Sequence, residues 1–87
     1  MDYKRLEKIA KGFANHRRIE ILELLEKRPV SLSQISTILK VNIKTAGEHT
    51  RRLESSGLIK KKYKGREVVH SISDLGLDIL TFLRKLE

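Results

Sequence analysis

Two helix-start signals and one stop signal stand close together between Ser31 and Gly57, and this arrangement constrains the fold more than any other part of the chain. Ser31-Leu32-Ser33-Gln34 has the form of a capping box, in which Gln34 reaches back to the Ser31 amide. Leu32, Ile35, Ile38 and Leu39 then recur at helical intervals and give one apolar face. A short break follows at Lys40-Val41. Asn42 is a good cap for a second helix running to about Ser55, with Ile43 near its start and Ala46, Thr50 and Leu53 facing inward. Gly57 tolerates positive φ, so the last turn can close on it. Two capped helices separated by so short a break have the geometry of a helix-turn-helix.

The flanking segments supply a frame for that pair. Tyr3, Leu6, Ile9, Ala10 and Phe13 mark one face of a first helix, whose end Gly12 weakens. Asn15 can cap a second helix, with Ile19, Leu22 and Leu25 or Glu26 at its turns and Ile21 and Leu24 widening the stripe. Pro29 ends it near Lys27. Leu58 to Tyr63 and Glu67 to Ser73 read as two short strands around a basic turn, Lys64-Gly65-Arg66. A further short strand near Val30 would fit, since two strands alone make a marginal sheet. Ser73 or Asp74 caps a last helix carrying Leu75, Leu77, Ile79, Leu80, Phe82, Leu83 and Leu86. These lie around more of the helix than a single core contact needs, which predicts a second partner surface. The expected fold is mainly α with a small β-hairpin, in the order helix, helix, helix, helix, strand, strand, helix. That is a winged helix-turn-helix, one domain over residues 1–87.

Charge and composition narrow the chemistry. The chain has 19 Lys and Arg against 11 Asp and Glu, a formal net charge of +8. Such an excess favours polyanionic partners, above all nucleic acid. Lys60, Lys61, Lys62, Lys64 and Arg66 form a dense run, joined by Arg17, Arg18, Arg51 and Arg52, while Glu20, Glu23 and Glu26 lie elsewhere. Cysteine is absent, which excludes disulfides and thiolate metal sites and suits a reducing cytosol. A domain this small often gains support from an oligomer. No apolar run approaches the ~20 residues that span a bilayer, and the start lacks a secretory pattern, so a cytoplasmic protein without membrane contact is expected. His16, His49 and His70 are scattered, and no metalloprotease, phosphate-loop or nucleotide fingerprint appears. Neither an enzyme nor a bound cofactor is expected.

In the major groove of a duplex, the second helix of the pair would offer Asn42, Lys44, Thr45, Gly47, Glu48 and Arg51. Lys44 can donate to guanine or to phosphate. Thr45 can use its hydroxyl on a base or its methyl against thymine. Glu48 accepts from cytosine, orients a basic neighbour, or points away. Gly47 destabilises a helix, and close approach to DNA or to a neighbouring helix would explain it. His49 suits packing or a phosphate contact. The basic turn, with Lys62, Lys64 and Arg66 beside Arg51 and Arg52, can straddle phosphates; such contacts position a protein but carry little sequence information. The plainer alternatives are a helical hairpin inside a core and a solvated strand edge on which lysines discourage aggregation.

Three stretches carry a family likeness: Phe13-Ala14-Asn15-His16-Arg17-Arg18-Ile19-Glu20-Ile21-Leu22, the segment Leu32 to His49, and Arg52-Leu53-Glu54-Ser55-Ser56-Gly57-Leu58-Ile59. From Leu6 to Leu83 the chain resembles the ArsR-type winged helix-turn-helix transcriptional regulators, and related winged-helix groups share much of the pattern. The resemblance implies a homodimer on a palindromic promoter site, with Asn42, Lys44, Thr45, Glu48 and His49 at recognition-helix positions and Lys64, Gly65 and Arg66 at the wing tip. It implies a dimer interface on the first and last helices, where Tyr3, Leu6, Ile9, Phe13, Ile79, Leu80, Phe82, Leu83 and Leu86 are the candidates. Family members that sense metals use a cysteine pair on the recognition helix, or Asp and His on the last helix. This chain has no cysteine, and its last helix has Asp74 and Asp78 without histidine, so no metal site is expected. Repression is the simplest mechanism, activation remains open, and any small-molecule effector is unknown. The alternative function is a rigid protein-docking module.

Overall fold

Local caps start every helix. In the computed structural model, which describes residues 1–87, the elements are α1 (Tyr3–Phe13), α2 (His16–Lys27), β1 (Val30–Ser31), α3 (Leu32–Leu39), α4 (Ile43–Ser55), β2 (Ile59–Lys64), β3 (Glu67–Ile72) and α5 (Asp74–Arg84). The Asp2 carboxylate accepts from the Arg5 amide, and Asn15 Oδ1 accepts from the amides of Arg17 and Arg18. The capping box forms in both directions: Gln34 N donates to Ser31 Oγ at 3.2 Å, and Ser31 N donates to Gln34 Oε1 at 2.8 Å. Asn42 Oδ1 accepts from Thr45 N, and Ser73 Oγ accepts from Gly76 N. Each such cap contributes about 1 kcal/mol.

The break between α3 and α4 is tighter than its sequence announces. Lys40 takes the left-handed conformation with φ of 56°, a place usually left to glycine or asparagine. Ser36 ties the turn down twice: its carbonyl accepts from Val41 N at 3.1 Å, and its hydroxyl donates to Val41 O at 2.6 Å.

The sheet is antiparallel, in the order β1-β3-β2. Val30 pairs with His70, Ile59 with Ile72 and Lys64 with Glu67. The two-residue β1 is the additional strand that a hairpin needs for support. Leu58 precedes β2 rather than starting it; its side chain is buried, and its carbonyl accepts from Ser73 N at 3.1 Å.

One core lies beneath all five helices and the sheet, centred on Ile21, Leu22, Val30, Ile35, Leu53 and Leu58. Two glycines decide which faces of the terminal helices turn inward. A Cβ on Gly12 would collide with the Ser56 side chain, and one on Gly76 would collide with the Leu58 carbonyl and with Ile72. Ile9, one turn before Gly12, and Leu80, one turn after Gly76, follow these close approaches into the core. They are only 8% and 3% exposed, which corrects their expected place on a dimer surface. Leu75 and Ile79 pack partly against the same core, whereas Leu77, Phe82 and Leu86 face outward. Ile38, expected on the apolar face of α3, is exposed, as is Ile43 at the start of α4.

Candidate nucleic-acid interface

α4 turns Ala46, Thr50 and Leu53 inward, so its opposite side is free of the core. Lys44, Glu48, Arg51 and Arg52 are exposed there, and Thr45, Gly47 and His49 are half-buried along the flanks. Asn42 is exposed, and its carbonyl oxygen already accepts from Thr45 N at 2.8 Å. Its amide NH₂ makes no hydrogen bond within the chain and can donate to another molecule.

Every side chain from Lys60 to Glu67 is exposed. Gly65 at the hairpin tip has φ of 65°, which turns the chain between Lys64 and Arg66. The ion pairs of the chain join Glu7 to Lys11, Glu20 to Arg17, Glu54 to Lys61, and both Glu23 and Glu26 to Arg84. Lys44, Arg51, Arg52, Lys62, Lys64 and Arg66 belong to none of them and are exposed to solvent. The structure thus brings the α4 and wing candidates onto outward surfaces of adjoining elements.

His49 has a different setting from its neighbours. Its Nδ1 lies 3.3 Å from Arg18 Nη1. A guanidinium has no acceptor, so His49 Nδ1 accepts and Nε2 carries the proton. Burial, then the Arg18 charge, holds the imidazole below its usual pKa. Arg18 also donates from Nε to Gly12 O at 2.7 Å and from Nη2 to Lys11 O at 3.1 Å. It thereby joins the end of α1 to α2 and α4. Sequence reasoning counted Arg18 only as one more positive charge; its hydrogen-bond partners are six, seven and 31 residues away and leave no periodic signal.

A cleft of about 240 Å³ separates α4 from the wing. Gly47, Thr50, Arg51 and Glu54 line one side, and Lys61, Tyr63, Val68 and His70 line the sheet side, with Leu32 at its edge. Lys61 Nζ lies 3.8 Å from Glu54 and 5.7 Å from the Tyr63 ring centroid, a cation over an aromatic face. His70 lies on β3 opposite Val30 and Lys61. It is 3% exposed, neither ring nitrogen has a hydrogen-bond partner, and burial lowers its pKa. No group of three or more His, Asp or Glu side chains is placed to hold a metal ion. No helix is long and apolar enough to cross a membrane.

Comparison with known proteins agrees with this geometry. The family described as "Bacterial regulatory protein, arsR family" matches residues 15–61, which contain α2, α3, α4 and the start of the wing. The HTH-type transcriptional regulator Rv0324 of Mycobacterium tuberculosis is 30% identical over 66 residues, 76% of this chain and 29% of that protein. An uncharacterised HTH-type transcriptional regulator of Methanocaldococcus jannaschii, MJ1398, is 32% identical over 60 residues, 69% of this chain and 15% of that protein. The chain therefore spans less than a third of the length of these relatives. Among solved structures, the homodimeric winged helix-turn-helix DNA-binding domain Mb0332 of Mycobacterium bovis superposes with a TM-score of 0.84 at 26% identity, covering 97% of this chain and 78% of that one. With its capped helix pair, basic wing and matching sequence, the chain belongs to the arsR family of bacterial regulators, winged helix-turn-helix proteins that bind DNA.

Proposed function

We propose that the chain acts as a homodimer that binds double-stranded DNA sequence-specifically and regulates transcription, in the simplest case by occupying a promoter and excluding polymerase. The observation that carries this reading is the set of unpaired cations on α4 and the wing, Lys44, Arg51, Arg52, Lys60, Lys62, Lys64 and Arg66. α4 enters the major groove, and the hairpin tip lies along the phosphates or in the adjacent minor groove. Thr45, Lys44, Glu48 and the free amide of Asn42 are the base-reading groups; His49 presents its single Nε2–H from the flank. Support for the dimer comes from exposed apolar side chains on the terminal helices, Tyr3, Leu6, Leu77 and Phe82, and from Leu86 just past α5, with half-buried Phe13, Ile79 and Leu83 beside them. It also comes from the homodimeric state of the Mycobacterium bovis domain. The absence of cysteine supports regulation without a thiolate metal switch.

Selection of bound sequences from a random duplex library tests the reading. The expected result is a two-fold symmetric site whose half-sites are one duplex turn apart. With six to ten phosphate contacts, affinity should fall roughly 10³- to 10⁵-fold between about 50 and 200 mM salt. A chain that enriches no sequence and shows no salt-dependent duplex affinity would instead be a protein-docking module.

A further inference from the structure

Gly47 has no structural reason inside the chain. The sequence contains five glycines. Gly12 and Gly76 permit close contacts that a Cβ would block, and Gly57 and Gly65 sit at φ of 80° and 65°. Gly47 shares neither property. It lies in the second turn of α4, where glycine weakens a helix relative to alanine, and a Cβ there would meet nothing within 4 Å. The neighbouring-helix explanation is thereby removed, and what remains is something outside the chain.

The surroundings indicate what that is. Gly47 lines the cleft between α4 and the wing, together with Arg51, Tyr63 and the Lys61–Glu54 ion pair, in which Lys61 neutralises the one carboxylate there. Arg51 is exposed and has no carboxylate partner. The elements flanking the cleft are those assigned above to the major groove and to the phosphates or minor groove beside it. One sugar–phosphate strand separates a major groove from the next minor groove. A helix in one and a wing along the other therefore carry that strand across the cleft.

We propose that Gly47 is a backbone-approach site, where the missing side chain lets one DNA sugar–phosphate strand settle onto α4 between the helix and the wing, with Arg51 holding a phosphate. The inference rests on the DNA-binding reading and adds a determinant to it. A contact of this kind supplies affinity and register, not base identity.

The test compares Gly47→Ala, Gly47→Leu and Arg51→Ala with the wild-type chain, on the duplex that wild type selects and on an unrelated duplex. Thermal unfolding followed by circular dichroism should show Gly47→Ala raising Tm by roughly 3–6 °C, because alanine favours the helix and has room. Its duplex affinity should nevertheless fall by roughly tenfold, the weight of one good contact, and by similar factors on both duplexes. Gly47→Leu should weaken binding further. The salt slope should stay unchanged in the Gly47 variants, which remove no charge, and should drop by about one in Arg51→Ala. A Gly47→Ala chain that is more stable and binds as well as wild type would overturn the inference and leave the DNA reading intact. Loss confined to a single base pair would also overturn it, since Gly47 would then face a base edge. A lower Tm would show that the fold itself needs the glycine, with the same consequence. Wild type that binds neither duplex would overturn the DNA reading and this inference together.

Discussion

Asn42 has two tasks that compete for one side chain. Its Oδ1 starts α4 by accepting from Thr45 N, and its NH₂ is the donor left for a base. Asn42→Asp keeps the cap and removes the donor; Asn42→Ala removes both. Urea unfolding should therefore show Asn42→Ala destabilised by about 1 kcal/mol and Asn42→Asp nearly unchanged. Both should lose discrimination at the same base pair if the amide reads one, by ~1–3 kcal/mol. The two histidines that are not fully exposed on their elements set an acid limit. Burial is the larger cause of the lowered pKa at both His49 and His70. Below the unfolded value of about 6.5 the unfolded chain then binds more protons than the folded one, so stability is complete above that pH and declines as pH falls through the lowered folded values. The urea midpoint should drop as pH falls below about 6.5, and His70→Leu, which removes an unpartnered buried imidazole, should flatten part of that decline. An unchanged pH profile in His70→Leu would show that His70 contributes nothing to it.

At the scale of elements, starts and stops were legible in the sequence, and facing was not. A cap acts over two or three residues, so Asn15, Ser31 and Asn42 announce their helices without reference to the rest of the chain. Facing depends on what each helix meets. The apolar periodicity of α1 and α5 does not distinguish Ile9 and Leu80 from their outward neighbours; the packing of Gly12 on Ser56 and of Gly76 on Leu58 does. β1 is two residues long, too short for any alternation to show. The wing was legible because Gly65 and the strand patterns on either side are local, and its exposed cations belong to one continuous run. Neutralising Lys64 and Arg66 together should weaken binding to all duplexes by similar factors and lower the salt slope by up to about two. Titrations at several salt concentrations measure this, and a loss restricted to one sequence would argue against backbone anchoring.

For the whole molecule, the exposed apolar side chains of α1 and α5 are the part of the surface that water suits least. Phe82 and Leu86 are 50% and 67% exposed and contribute little to the monomer's own core. Phe82→Glu with Leu86→Glu should therefore leave circular dichroism unchanged while shifting micromolar protein from dimer to monomer in sedimentation equilibrium, since unpartnered charges would be buried on association. Leu80→Glu should unfold the chain instead, because Leu80 lies in the core. A wild type that is monomeric yet binds its selected site tightly would exclude the dimer.

Arg18 has a mechanical consequence at that same scale. One guanidinium holds two carbonyls at the end of α1 and the imidazole on α4, so it ties α1 to α4 beside the close approach of Gly12 to Ser56. In a dimer built on α1, tilting the subunits would carry both reading helices with it. The gauge between them, which must match a duplex turn of roughly 34–36 Å, would then be set at the subunit seam rather than in either recognition helix.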